Sequence, residues 1–302
     1  MKKFYRLFLV FKTPILTPLQ ADTIFGHLCW VIAHKEGENG LKKFLDPFKR
    51  SNPPFIISDG FPHELLPKPL SAEFLCPEEK RKEVKKREWI NIEEFNKVRK
   101  AMLFEFPADL ESRDIPQNIL SIHNTIDRIT NTVTSEVGVY SFHETAISKV
   151  CIYLKIIEDV RWLERIRELF EELSKIGFGR KKSIGKGHFS IEDIEIFNGF
   201  SEIENADGFV TLSNFCPAEN DPVDGLYKTF VKYGKLGEEF TFCGNPFKRP
   251  LLMIKTGSVF KTKRKPEEFY GRMINERISP QIDKVVQYAY AFPVPLSYPK
   301  EI

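Results

Sequence analysis

The sequence predicts an α+β protein of two ferredoxin-like domains with antiparallel sheets, residues 1–198 and 199–302, the first carrying an insertion at about 62–145 and a projecting hairpin. Three observations lead there. A chain of 302 residues is longer than one small domain needs. With the insertion set aside, the first domain reads strand, helix, strand, strand, helix, strand. After Gly199 the helical signal fades, and short β-like runs are separated by Gly, Pro and charge.

Taken in order, Phe4 to Phe11 is an aromatic and aliphatic run closed by Pro14 and Pro18, as a buried strand entering a turn would be. In Thr17 to Ala33, Ile24, Phe25, Leu28, Cys29 and Ile32 recur at helical spacing, with Asp22 placed as N-cap and the Gly37 to Gly40 stretch as terminator. Pro53-Pro54 introduces a short strand, Phe55 to Ser58, ended by Asp59-Gly60. From Pro62 to about Pro116 periodicity weakens and only Ile92 to Phe106 reads as helix, so this stretch is an insertion rather than core. His123 to Glu144 is rich in Thr, Val, Asn and Ser and alternates around Val133 and Tyr140, which predicts a hairpin with a solvent- or ligand-facing surface. Val150 to Ile157 is a strand. Arg161 to Ile176 is an amphipathic helix with Trp162, Ile166, Leu169, Phe170 and Leu173 on one face, and Phe189 to Phe197 is the last strand. In the second domain the expected strands are Phe209 to Leu212, Glu239 to Phe242, Leu251 to Ile254 and Gln287 to Phe292, read as a degenerate copy of the first domain.

Composition narrows the function classes. The 45 Lys+Arg balance 42 Asp+Glu to a net +3, so a polyanion site must be a local concentration of charge. Lys80 to Arg87 (KRKEVKKR), Arg180 to Lys182 and Lys261 to Lys265 (KTKRK) are such concentrations. The 27 Phe point to Phe-packed cores. Five Cys (Cys29, Cys76, Cys151, Cys216, Cys243) show neither a C-x-x-C pair nor zinc-finger spacing to a His, so they are expected as reduced thiols, with no metal and no cofactor. The opening MKKFYRLFLVFKTPIL imitates a signal peptide, but Arg6 and Lys12 interrupt it. No run reaches the roughly 18 apolar residues of a membrane span, and a cytoplasmic protein is expected.

The segment between the last helix and last strand, IGFGRKKSIGKGHF, holds Gly177, Gly179, Gly185 and Gly187 around Arg180, Lys181, Lys182, Ser183 and Lys186. Glycines there permit positive φ and close backbone approach, leaving amides that can donate to phosphate oxygens beside the cations. It lacks the P-loop pattern, and it follows a helix and precedes a strand, the reverse of a dinucleotide fingerprint. A flexible basic connector is the alternative reading.

This loop, in this place, resembles the glycine-rich loop of the RAMP superfamily of CRISPR RNA-binding proteins. Pro18 to Trp30 (PLQADTIFGHLCW), Phe55 to Pro62 (FIISDGFP), Asn124 to Tyr140 and Gly257-Ser258-Val259-Phe260 are similar to the subunit that caps the guide 5′ end in the type III-A (Csm) effector complex. The resemblance implies two RRM-like domains, a thumb hairpin, binding of the guide-RNA 5′ handle, and docking to the large polymerase-like subunit and a backbone RAMP subunit. By position it also implies that Gly177, Phe178, Gly179, Arg180, Lys181, Lys182, Ser183, Gly185, Lys186 and Gly187 clamp the handle. Asp22, Thr23 and His27 would line the same groove, and His123, Arg128, Asn131 and Tyr140 would lie on the thumb near target RNA. Phe178 and Tyr140 are candidate stacking platforms, although each also reads as core and Phe178 more readily so.

Two rival readings remain: the corresponding type III-B subunit, and a RAMP endoribonuclease that processes precursor guide RNA. Metal-independent cleavage would need a general base and acid, with His27, His34, His123, His143 and His188 as candidates and His27 the sharpest. A buried structural His is the commoner fate of such a residue. Asp59, His63 and Glu64 lack metal-site spacing and read as a solvated loop, while Cys29 reads as an inert thiol on an apolar helix face rather than the partner of His27 or His143.

Overall fold

The computed structural model describes residues 4–103, 115–133, 138–242 and 244–300. Its N-terminal half runs β1 (Phe4–Phe11), α1 (Ala21–Lys49), β2 (Phe55–Pro62), β3 (Leu65–Pro67), α2 (Arg81–Lys86), β4 (Trp89–Asn91), α3 (Ile92–Arg99), β5 (Gln117–Asn124), β6 (Val139–Ala146), β7 (Lys149–Ile156), α4 (Arg161–Ile176) and β8 (Phe189–Phe197). The main sheet has the order β2-β7-β1-β8 with every pair antiparallel, which is the ferredoxin-like arrangement expected from the element order. Strand β7 is buried at all but its ends because it lies inside the sheet, and its sequence is accordingly a nearly unbroken apolar run. Helix α4 buries Ile166, Leu169, Phe170 and Leu173, the stripe predicted from its periodicity.

Three local expectations are corrected. Gln20, not Asp22, occupies the N-cap of α1; Gly37, with φ 71°, breaks the helix without ending it, and the chain resumes helix through Pro47 to Lys49. Strand β2 does not stop at Asp59-Gly60. A register irregularity between Ile57 and Gly60 turns Asp59 inward, and the strand continues to Pro62. The presumed insertion contributes to the core: Leu66, Ala72, Leu75, Val84, Ile90, Phe95 and Val98 are buried in the same cluster as β1 and β7. These apolar residues sit on elements too short to display a period, which is why the sequence reads as loop there. An Asn91–Glu94 capping box starts α3, which ends at Arg99; Phe104 to Phe106 of the expected helix, Cys243, the first three residues and positions 134–137 lie outside the described residues.

The C-terminal half contains β9 (Gly208–Thr211), β10 (Gly225–Leu226), β11 (Thr229–Lys232), β12 (Leu251–Ile254), β13 (Val259–Lys261), β14 (Tyr270–Ile274), β15 (Gln287–Ala291) and β16 (Pro293–Leu296). An antiparallel sheet of order β10-β13-β9-β16 is accompanied by the two-stranded ribbons β11–β12 and β14–β15. No α-helix occurs here among the described residues, and the expected strand at Glu239 to Phe242 is a 3-10 turn, entered through Glu238 at φ 50°.

The halves share one core. Val210, Leu212, Val259, Tyr288, Tyr290 and Phe292 join the cluster built on β1. The Tyr288 ring stacks on Phe25 of α1 at 4.6 Å, its hydroxyl accepts from the Ile57 amide at 3.2 Å, and the Tyr290 hydroxyl donates to the Phe48 carbonyl at 2.6 Å. Two buried cations bridge the seam through carbonyl acceptors: Lys155 donates to Glu268 and Pro293, and Arg99 donates to Pro295 and Ser201. No helix among the described residues is long and apolar enough to cross a membrane.

Candidate RNA-binding site

Gly177, Gly179, Gly185 and Gly187 all have positive φ, as does Lys181 at 64°. At Gly187 the need for glycine is absolute in space as well as in φ, because a Cβ there would sit 2.0 Å from the Phe178 carbonyl oxygen. The close approach belongs to a backbone clamp: the Phe178 amide donates to the Gly187 carbonyl at 2.9 Å, and the Gly187 amide donates to Pro14 at 3.0 Å. The Gly179 amide donates to Nε2 of His27 at 3.2 Å, and the Arg180 amide donates to the Thr17 hydroxyl at 3.1 Å. A flexible connector is therefore not what these residues form. The base of the loop spends its amides internally, whereas those of Lys181, Lys182 and Ser183 at the tip take no acceptor among the described residues.

The cations divide in the same way. Lys182 pairs with Glu238 and Lys186 with Glu144, each at 2.7 Å, while Arg180 and Lys181 are exposed. Burial by itself would raise the Glu144 carboxyl, but hydrogen bonds from Lys186 and Ser121 and the charges of Lys186 and His123 outweigh it and hold the group below its usual value. Lys181 also lies 5.1 Å from the ring centroid of Phe142, joining the loop tip to the hairpin.

Strands β5 and β6 pair antiparallel from Gln117↔Ala146 to Asn124↔Val139, so the expected hairpin is present, its base reaching Gln117 and Ala146 rather than His123 and Glu144. One face carries an aromatic cluster in which His123 stacks on Tyr140 at 5.5 Å and contacts Phe142 at 5.1 Å. Arg128 and Asn131 are exposed in the turn at the far end, where the Asp127 carboxylate accepts from the Ile129 amide at 2.7 Å. The structure thus brings Tyr140 and His123 to the side of the hairpin that meets Lys181, and leaves Arg128 and Asn131 at its remote end.

Other candidates have different roles. Phe178 is 2% exposed and packed in the main core, 4.8 Å from the His27 ring, so it is not a stacking platform. Burial, reinforced by the Lys182 charge, lowers the His27 imidazole to about 4, leaving a neutral ring whose Nε2 supports the loop. Asp22 and Thr23 are engaged by the C-terminal half. Lys232 donates to the Asp22 carboxylate at 3.0 Å and to the Thr23 hydroxyl at 3.1 Å, and Gln287 also donates to Asp22, because the first turn of α1 abuts the C-terminal half. Asp59 is no solvated loop residue either: it is buried, its carboxylate accepts from the Ala21 amide and the Asn214 side chain, and burial raises it to about 7. Burial also pushes the Cys29 thiol up to about 12, in keeping with an inert thiol. No cluster of three or more His, Cys, Asp or Glu able to hold a metal occurs among the described residues.

Thr17, Phe142, Glu144 and Glu238 were not singled out by sequence reasoning, although they hold or face the loop. Their partners lie far away in the chain, 42 residues for Lys186–Glu144 and 163 for Arg180–Thr17, so no local pattern marks them. Behind the loop is a cavity of about 170 Å3 lined by His27, Trp30, Val31, His34, Leu173, Ile176, Lys182 and Glu238.

No protein-family model and no curated protein matches the chain. Solved structures do. A chain in the crystal structure of a Csm1–Csm4 cassette in complex with pppApA superposes with a TM-score of 0.67 at 19% identity, over 99% of both chains. The same cassette in complex with AMPPNP gives 0.65 at 20%, again over 99% of both. A chain in the Csm3–Csm4 subcomplex of the type III-A CRISPR–Cas interference complex gives 0.62 at 14% identity, covering 98% of this chain and 99% of that one. Over nearly its whole length, therefore, the chain has the fold of a protein in these Csm assemblies, the fold its sequence resemblance implied.

Proposed function

We propose that the chain is a non-catalytic RNA-binding subunit of a cytoplasmic type III-A CRISPR ribonucleoprotein, holding the 5′ handle of the guide RNA at the glycine-rich loop. The observation that carries this reading is the loop itself: pinned at its base, it presents Arg180, Lys181 and three unspent amides at its tip, beside the aromatic face of the hairpin. Phosphates suit the cations and amides, and a base suits the exposed edge of the Tyr140 cluster, which is how single strands are commonly held. Target RNA would pass near the hairpin. The likeness in fold to chains of Csm1–Csm4 and Csm3–Csm4 assemblies supports a large polymerase-like subunit and a backbone RAMP subunit as partners. Residues 1–198 would carry the RNA-holding loop, and residues 199–302 would brace it through Glu238 and Lys232.

The state of His27 favours holding over cutting. A general base or acid works best with a pKa near the operating pH, whereas this imidazole is lowered to about 4 and its Nε2 is engaged by a backbone amide. The test is to incubate the purified chain with labelled repeat-containing RNA and read binding and cleavage on one gel across a salt series. Salt-sensitive binding without cutting is expected, weakened at least about tenfold when Arg180, Lys181 and Lys182 are replaced together by Ala. Metal-independent cutting that disappears in His27→Ala would overturn the reading in favour of a nuclease.

A further inference from the structure

Strands β11 and β12 form a ribbon that stands outside both main sheets and continues beyond them through the bridge Lys235↔Phe247. Its outer surface is unusual for a two-stranded element. Tyr233 is 74% exposed, Phe247 57% and Leu252 65%, where burial of such rings and aliphatic groups is the norm. The stretches 226–236 and 244–256 contain no Asp or Glu. Two of their cations are consumed inside the molecule, Lys232 by Asp22 and Lys248 by Gln287 and the Val286 carbonyl. Lys228, Lys235, Arg249 and Lys255 are exposed and form no salt bridge among the described residues.

This surface is continuous with the loop. Glu238, the partner of Lys182, lies in the connection between β11 and β12, and neighbouring Gly237 packs so closely on Trp30 of α1 that a Cβ would stand 2.9 Å from the indole nitrogen. The connection between the ribbon's strands therefore meets the glycine-rich loop at Lys182.

We infer that the β11–β12 ribbon is a second single-stranded RNA surface, extending the path of the strand held at the glycine-rich loop; the inference rests on the RNA-binding reading above. Exposed aromatic rings beside exposed cations, Lys235 lying 5.9 Å from the Phe247 ring centroid, on stretches without carboxylates, are features that hold single strands without reading sequence, by base stacking and phosphate neutralisation. An apolar protein partner would cover Val231 and Leu252 but bury like charges without counter-charges, which disfavours that occupant.

The test uses the full chain and fluorescein-labelled oligouridines of about 8 and about 20 nucleotides, lengths chosen to span one or two single-strand sites. Two ribbon variants, Tyr233→Ala/Phe247→Ala and Lys235→Glu/Arg249→Glu, are compared with a loop variant, Arg180→Glu/Lys181→Glu, after unchanged melting confirms folding. Both ribbon variants are expected to weaken the longer RNA at least about tenfold and to spare the shorter one, with the charge variant flattening the salt slope by about 0.7 per lost phosphate contact. Photo-crosslinks from 4-thiouridine should map to peptides containing Tyr233 or Phe247. If the loop variant loses both RNAs while the ribbon variants bind the longer one normally, the ribbon inference fails and the functional reading stands. If the unmodified chain binds neither RNA, both fail. Ribbon variants that keep RNA affinity but lose co-purification with a protein subunit would make the surface a protein dock and overturn the inference.

Discussion

The two halves of the molecule cover their sheets by different means. In the N-terminal half, α1 and α4 of the βαββαβ unit provide the apolar faces, with Ile24, Phe170 and Leu173 meeting Leu9 and Ile152 of the sheet. In the C-terminal half no α-helix among the described residues does this. Phe209 stacks on Phe260 at 5.2 Å and on Tyr270 at 4.3 Å, and the ribbon β14–β15 lies on α1 through Tyr288 and Tyr290. One helix thus serves two layers. The C-terminal half depends on its neighbour for closure, and one polar contact of the glycine-rich loop, Lys182–Glu238, crosses the same seam.

Phe25→Ala tests that dependence with the largest expected effect. Phe25 is 1% exposed and contacts Phe44, Phe48 and Tyr288, so its truncation should cost about 3–5 kcal/mol in denaturant unfolding. A single transition should report loss of both halves together; two separated transitions would break the comparison. Lys186→Ala should follow at about 3 kcal/mol, because Glu144 is left buried with its main counter-charge removed. Its lowered carboxyl contributes stability above the ordinary Glu value, lost as pH falls through the lowered one, and the variant should show less of this acid-side slope.

Asp59 titrates in the opposite sense. Burial raises it to about 7, so its contribution is full below the ordinary Asp value near 4 and is lost as pH rises through about 7, with a slope of up to about 1.4 kcal/mol per pH unit between them. Urea unfolding of Asp59→Asn should lack that slope; an unchanged profile would show that the seam does not sense this proton. Within the loop, Gly187→Ala should cost about 2 kcal/mol or more and weaken RNA binding, whereas Gly185→Ala, with the same sign of φ but open space around it, should cost about 1 kcal/mol. The smallest effect belongs to Lys284→Ala: the exposed pair Lys284–Glu38 links the halves at the surface, and its removal should leave the melting temperature unchanged.

Elements with enough length to show a period were legible. The stripe of α4, the apolar β1 and β7, and the glycine loop between α4 and β8 stand where expected. Short elements were not. The β3–β4 pair and α2 bury Leu66, Ile90 and Val84, but three to six residues cannot reveal which face is inward. Asp59-Gly60 has turn-like letters and forms a bulge, because a buried carboxylate found donors in Ala21 and Asn214 that only the fold supplies. Phe178 and Tyr140 were both candidates for stacking, Phe178 reading more readily as core, and burial bore out that reading.

By itself the sequence determined the long helices and strands of the first half and the glycines of its loop, and hence the ferredoxin-like order of that half. Those properties come from local sterics and from periodicity within a few residues. Tertiary structure decided which cations remain available to a ligand. Lys182 and Lys186 read no differently from Arg180 and Lys181 along the chain, yet Glu238 and Glu144 neutralise the first two only, because charge pairing depends on distance in space.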